Sequence, residues 1–204
     1  MKFYDSIGPN PFVVRMAAAE KGITLDKVTV DIMKGENRSS DYARKVPTGG
    51  TPAIELADGS LIAEITALAE YLEDVQPEPP IIGRTPEERA ETRMWVRRID
   101  LAYCEPMANG FRATQGRPMF APRMMLLDEP AAEQLKAIAA AKLLWLDGLM
   151  QGRQWVCGDR FTLADILLFG FVQFGAQVGQ PLPADAIWLP AWRDRVAARP
   201  SAAA

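Results

Sequence analysis

The chain has 204 residues, 49% hydrophobic and 24% charged, which suits one large domain or two small ones with a real core. Its 23 basic and 26 acidic residues leave a net charge of −3, which argues against a general nucleic-acid binder. With no histidine and two cysteines, Cys104 and Cys157, far apart, Ser-His-Asp triads, Cys-His pairs, His-ligated zinc and CxxC redox pairs are excluded, and no metal site is expected.

Lys2–Tyr4 reads as a short strand, followed by the breaker-rich turn SIGPNP at 6–11. A helix is predicted over 12–22, with Pro11 in its first turn and Gly22 at its stop. Val28, Val30 and Ile32 alternate over 25–32 in the manner of a strand. Residues 39–46 suit a short helix capped by Ser39 or Ser40. Residues 51–63 suit a hairpin, with strands near 53–56 and 60–63 and Asp58-Gly59 at the turn. Ile65, Leu68 and Leu72, extended by Val75, form the apolar stripe of a helix over 64–75. The order βαβαββα predicts a small mixed sheet with helices on its faces.

The prolines of QPEPPIIG mark a semi-rigid linker. Beyond it no strand is predicted. Thr85, Pro86 and Glu88 form a capping box that opens a long helix, with a kink expected at Pro106. Another long helix covers 129–150. A second capping box, Thr162 to Asp165, opens a helix over 161–177 that is apolar nearly all round, as a buried central helix is. A short helix covers 189–198, and the Ala-rich end reads as a frayed tail. The division is therefore 1–76, an α/β domain; 77–84, a linker; and 85–204, an all-α domain. No apolar run approaches the roughly 20 residues of a membrane span. The opening MKFYDSIGPN lacks a signal-peptide core, so a cytoplasmic protein without membrane partners is expected.

Three segments carry a resemblance. Gly50-Thr51-Pro52-Ala53 precedes the hairpin, DGSLIAEITALAEYLE spans 58–73, and GDRFTLADILL spans 158–168. In this order, around a proline-rich linker, they resemble the cytosolic glutathione transferase family over the whole chain. YDSIGPNPFVVRMAAAEKG and the KGEN segment are similar to a fungal and bacterial group whose better-known fungal member lacks the usual catalytic Ser or Tyr. The resemblance implies a thioredoxin-like first domain that binds glutathione and a helical domain that carries the second-substrate side. It also implies a homodimer, a role in detoxification, and glutathione as co-substrate with no tightly bound cofactor.

Carried onto this sequence, the family pattern assigns Glu64 to the γ-glutamyl ammonium and the amide of residue 65 to its carboxylate, at a helix start suited to anions. Ile65 stands where the family has Ser or Thr, so the backbone N–H remains and the hydroxyl contact is lost. The alternative for Glu64 is an acid that only favours or caps the helix start. Thr51-Pro52, with proline cis in the family, would offer main-chain bonds to the cysteinyl part. Lys34 and Asn37 match positions that contact the glycine carboxylate in some classes; the alternative is a solvated loop. Asn10 occupies the place of the catalytic Ser or Cys and can donate to sulfur, though Asn before proline is also a common turn residue. Ser6 and Tyr4 are the other candidates, with the Tyr4 ring expected in the core. The resemblance implies a His on the fungal member's helix where this chain has Ala113, so that kind of thiolate stabilisation is either absent or replaced by water or Arg112.

Tyr103, Cys104, Met107, Ala108, Phe111 and Arg112 are candidates to line the second-substrate side, and helix packing is the competing reading of each. Cys157 reads as structural, and Arg93, Arg97 and Arg98 as surface. The expected activity is conjugation of glutathione to a small hydrophobic electrophile. The alternatives are glutathione-dependent disulfide or peroxide reduction, or a non-catalytic binding protein on the same fold.

Overall fold

Phe3 and Tyr4 are neighbours in β1 (Lys2–Asp5), so their side chains leave opposite faces of the sheet, and each founds a core. Phe3 packs with Val14 and Ala18 of α1 (Pro9–Glu20), with Ile54, and with Leu68 and Leu72 of α3 (Ile65–Val75). Tyr4 packs with Val30, Val46, Ala53 and Tyr42 of α2 (Ser40–Lys45). The structure, a computed structural model, describes all 204 residues. Its sheet runs β2 (Asp26–Thr29), β1, β3 (Ala53–Glu55), β4 (Leu61–Ala63). β1 is parallel to β2 and antiparallel to β3, and β3 is antiparallel to β4. The expected βαβαββα order is the observed one, on a thioredoxin-like domain.

Local signals act as expected in several places. Ser39 Oγ accepts Tyr42 N–H at 3.2 Å to cap α2. Gly22, at φ +66°, ends α1, and Ile23 N–H returns to Ala18 O at 2.9 Å. Other details differ from expectation. α1 begins at Pro9 rather than near residue 12, because Gly8 turns the chain (φ 115°) and Pro9 suits a first helical position. β2 is shorter than 25–32, although Val30 N–H still reaches Asp5 O at 2.7 Å. Val75 is 49% exposed and lies off the buried stripe of α3.

The chain divides into two compact units, Met1–Arg84 with Arg199–Ala204, and Thr85–Ala198. The proline-rich segment is therefore part of the first unit, not a free linker. Ile81 and Ile82 are buried there, and their amides donate to Glu73 at 3.1 and 3.0 Å. The tail is not frayed and does not belong with the helical unit. Pro200–Ala203 forms a 3-10 turn, and Arg199 holds Glu20 of α1 through two bonds of 2.7 Å.

In the second unit, Thr85 and Glu88 form the predicted capping box of α4 (Pro86–Ile99). The expected kink is a π-helical turn, Asp100–Cys104, leading into α5 (Glu105–Ala113). Pro106 has no N–H to return to the preceding turn, and the wider register absorbs that loss. A short α6 (Arg117–Phe120), absent from the sequence reading, precedes α7 (Glu129–Met150). The second capping box opens α8 (Leu163–Gln177), whose first ten residues are all buried, and α9 (Trp188–Ala197) follows. Asp165 accepts bonds from Val156 N, Trp192 Nε1 and Thr162 N at 2.9, 2.9 and 3.0 Å. Burial raises its pKa to about 6 against those donors.

Candidate functional site

Register brings the separate loops of the first unit together. Tyr4 pairs with Ala53, and Ala53 with Ala63. The turn after β1, the Thr51-Pro52 step before β3 and the Glu64-Ile65 step after β4 therefore share one end of the sheet. β2 is parallel to β1, with Thr29 opposite Asp5, so the loop carrying Lys34 and Asn37 leaves from the same end. α1 and α3 both start there. Residues 6, 10, 34, 37, 51, 52, 64 and 65 all belong to these loops and helix starts.

The Thr51-Pro52 peptide is cis. Thr51 Oγ1 lies 2.5 Å from Ser6 Oγ, and Ser6 Oγ also donates to Ile7 O at 3.2 Å. Ser6 is buried and its hydroxyl is occupied by these contacts. Glu64 is exposed and is the chain's non-glycine residue at positive φ, with φ 72° and ψ 129°. Such a conformation costs roughly 1–3 kcal/mol. Its side chain makes no capping bond to α3, so capping does not account for it. The first amides of α3, from Ile65 onward, have no partner within the helix and form a donor set suited to a carboxylate.

Asn10 is the second residue of α1 and partly exposed. Pro9 and Pro11 on either side have no N–H, so Asn10 holds the backbone donor of the first three helical positions. Its carboxamide adds a second donor. Lys34 is exposed, its side chain 78% accessible, and reaches Asp31 at 3.1 Å. Asn37 behaves differently from an outward-facing contact: it is buried and donates Nδ2–H to Gly49 O at 2.7 Å. Tyr4 is committed as well. Its hydroxyl donates to Glu55 at 2.5 Å and accepts from Lys45 at 2.7 Å. The Tyr4 bond, with Lys45 and Lys2, lowers the Glu55 pKa to about 2.

Comparison with known proteins fits this arrangement. Residues 7–75 match the glutathione S-transferase N-terminal domain, and residues 118–200 match the C-terminal domain. Glutathione S-transferase 2 of Saccharomyces cerevisiae is 32% identical over 207 aligned residues, spanning 98% of this chain and 87% of the yeast protein. The chain belongs to the glutathione S-transferase family. Two crystal structures are similar to it. A glutathione S-transferase domain-containing protein of Marinobacter aquaeolei is 36% identical, with TM-score 0.92 over 98% of this chain and 99% of that one. Gtt2 of Saccharomyces cerevisiae is 31% identical, with TM-score 0.91 over 98% of each chain.

The helical unit of this glutathione S-transferase family member takes most of its candidate side chains inward. Tyr103, Cys104 and Met107 are buried, and Tyr103 donates its hydroxyl proton to Phe171 O at 3.2 Å. Burial pushes the Cys104 thiol well above its usual range, so it is not a reactive thiolate. Ala108 is nearly covered. Phe111 and Arg112 keep partial exposure; Phe111 meets Phe120 and Phe174 edge to face, and Arg112 lies 5.9 Å over the Phe120 ring. Cys157 is buried beside Thr92 and Thr162, consistent with packing.

Three features at the sheet end escape the sequence. The backbone strain of Glu64 has no residue-type signal. Ile7, 66% exposed, and Met33, 62% exposed, are apolar side chains on the loops that leave this end of the sheet. Tyr42 OH donates to Gly50 O at 2.7 Å, a tie between residues in different elements. No group of three or more His, Cys, Asp or Glu is arranged to hold a metal ion, and no helix is long and apolar enough to cross a membrane.

Proposed function

We propose that this chain is a glutathione transferase that binds glutathione at the sheet end of its first unit, lowers the pKa of the bound thiol and conjugates the sulfur to a small hydrophobic electrophile. One observation carries the reading: two helix starts, the cis Thr51-Pro52 step and the strained Glu64 share one end of the sheet. Glu64 meets the γ-glutamyl ammonium, and the first amides of α3 meet its carboxylate. The Thr51 main chain pairs with the cysteinyl part. Lys34 faces the glycine carboxylate as a point charge.

A free alkyl thiol has a pKa near 8.5, so little thiolate exists at neutral pH. Asn10 donates to the sulfur, and the positive start of α1 favours the thiolate further. Asn10 has no basic atom, so the thiol proton leaves to water. The thiolate lone pair forms a carbon–sulfur bond with the electrophile, and the leaving group departs with its bonding pair. Ile7 and Met33 give the electrophile an apolar neighbour on this unit. Ser6 supports Thr51 rather than the sulfur. We also propose a homodimer, which light scattering of the purified protein tests, and a cytoplasmic location, which cell fractionation tests.

The decisive experiment is calorimetric titration of glutathione into the protein and into Glu64→Ala, with thiolate absorbance followed against pH. Binding lost in Glu64→Ala and a bound-thiol pKa below about 7.5 are expected. No heat at millimolar glutathione sinks the proposal. Binding without a lowered pKa replaces conjugation with a carrier role, and reduction of a glutathione mixed disulfide without conjugation replaces it with reductase chemistry.

A further inference from the structure

The main chain offered to glutathione follows two glycines. Gly49 and Gly50 have no Cβ to pack, and free glycines sample both signs of φ. Gly49 sits at φ +64°, where a Cβ would come 3.0 Å from Asn37 O, so a side chain cannot take over the task of fixing it. A mobile Gly-Gly step would leave Thr51 to be ordered at the moment of binding, which weakens affinity.

The structure holds this step from both sides. Asn37 Nδ2–H donates to Gly49 O at 2.7 Å, and Tyr42 O–H donates to Gly50 O at 2.7 Å. The donors come from different elements, a 3-10 turn at Glu36–Arg38 and α2. Both donor residues are 7% exposed, and Gly49 is buried with them, whereas Gly50 is exposed. Tyr42 is itself fixed by the Tyr4 ring, 5.7 Å away edge to face, and by Val30, Val46 and Ala53. Burial, with Tyr4 adding to it, pushes the Tyr42 pKa up to about 12, so the hydroxyl keeps its donor proton. Beyond the glycines, Ser6 holds the Thr51 hydroxyl.

We infer that Asn37 and Tyr42 are positioning residues, which clamp two successive carbonyls and so present the Thr51 main chain to the cysteinyl part of glutathione. The inference rests on the glutathione reading above. It gives Asn37 a role through the backbone in place of direct contact with the glycine carboxylate. The clamp acts on affinity and not on the sulfur, because neither side chain is part of the α1 start.

The test is calorimetry of glutathione binding to the full chain as Tyr42→Phe and as Asn37→Ala. Each variant removes one donor and leaves one carbonyl without its partner. The expected result is a Kd raised about fivefold to tenfold, with stoichiometry and bound-thiol pKa unchanged. A merely structural role would instead lower the stoichiometry, as fewer molecules fold, at unchanged Kd. Kd within twofold of the parent in both variants overturns the clamp while the glutathione reading stands. No binding by the parent chain overturns that reading and the clamp with it. Should Tyr42→Phe fail to fold, Asn37→Ala decides alone.

Discussion

Lys21 Nζ lies 2.5 Å from Glu73 Oε2, with 0% and 3% of the two side chains exposed. Lys21 also donates to Pro79 O at 2.9 Å, and Glu73 accepts from the amides of Ile81, Ile82 and Gly83. One buried ion pair thus joins the end of α1, the body of α3 and the proline-rich segment. Removing one partner strands a buried charge. Lys21→Met is expected to destabilise the protein by about 3–5 kcal/mol in urea unfolding. Adding Glu73→Gln keeps an acceptor for the amides without the stranded charge and should recover part of the loss. A single-variant loss under about 1 kcal/mol would show that this pair does not anchor the segment.

Strain at Glu64 opposes stability where the site needs an acid. Glycine occupies positive φ without the Cβ penalty. Glu64→Gly should therefore raise stability by about 1 kcal/mol in thermal unfolding while abolishing glutathione binding. A variant that is no more stable would mean that the φ of 72° stores little energy.

Asn10 offers its carboxamide and its backbone N–H, and Asn10→Ala removes only the first. The bound thiol should rise by about one pKa unit, the equivalent of one hydrogen bond. Conjugation of an aryl halide should fall near neutral pH and return near pH 9, where the thiol ionises unaided. An unchanged pH–rate profile would remove Asn10 from the sulfur.

Glu20 answers to acid. Burial disfavours its charge, but hydrogen bonds from Arg199 and Ser201 and the Arg199 charge prevail, and its pKa lies below the ordinary 4.5. A depressed carboxylate pKa contributes stability that is complete above the unfolded value and is lost as pH falls through the folded one. The tail Arg199–Ala204 should therefore stay docked above pH 4.5 and loosen as pH drops further. Hydrogen exchange at Ala202 and Ala204, corrected for intrinsic rates, reads the change. Arg199→Ala should expose these amides already at neutral pH, and protection unaffected by acid or by that variant would contradict the account.

The sequence by itself determined what is local. The boxes Thr85/Glu88 and Thr162/Asp165, the Asp58-Gly59 turn and the Ile65, Leu68, Leu72 stripe each involve partners a few residues apart. Residue types in a short window suffice for these, whereas Thr51, Pro52, Glu64 and Ile65 were assigned together through the resemblance to a known family. Only the tertiary structure decided the rest. Whether Asn37 faces outward or turns in to Gly49, whether the Ser6 hydroxyl is occupied by Thr51, and whether Arg199 finds Glu20 depend on residues up to 179 positions apart. The φ of Glu64 likewise follows from the joining of β4 to α3. Such relationships arise when separate elements pack, and no period or pair of neighbouring residue types encodes them.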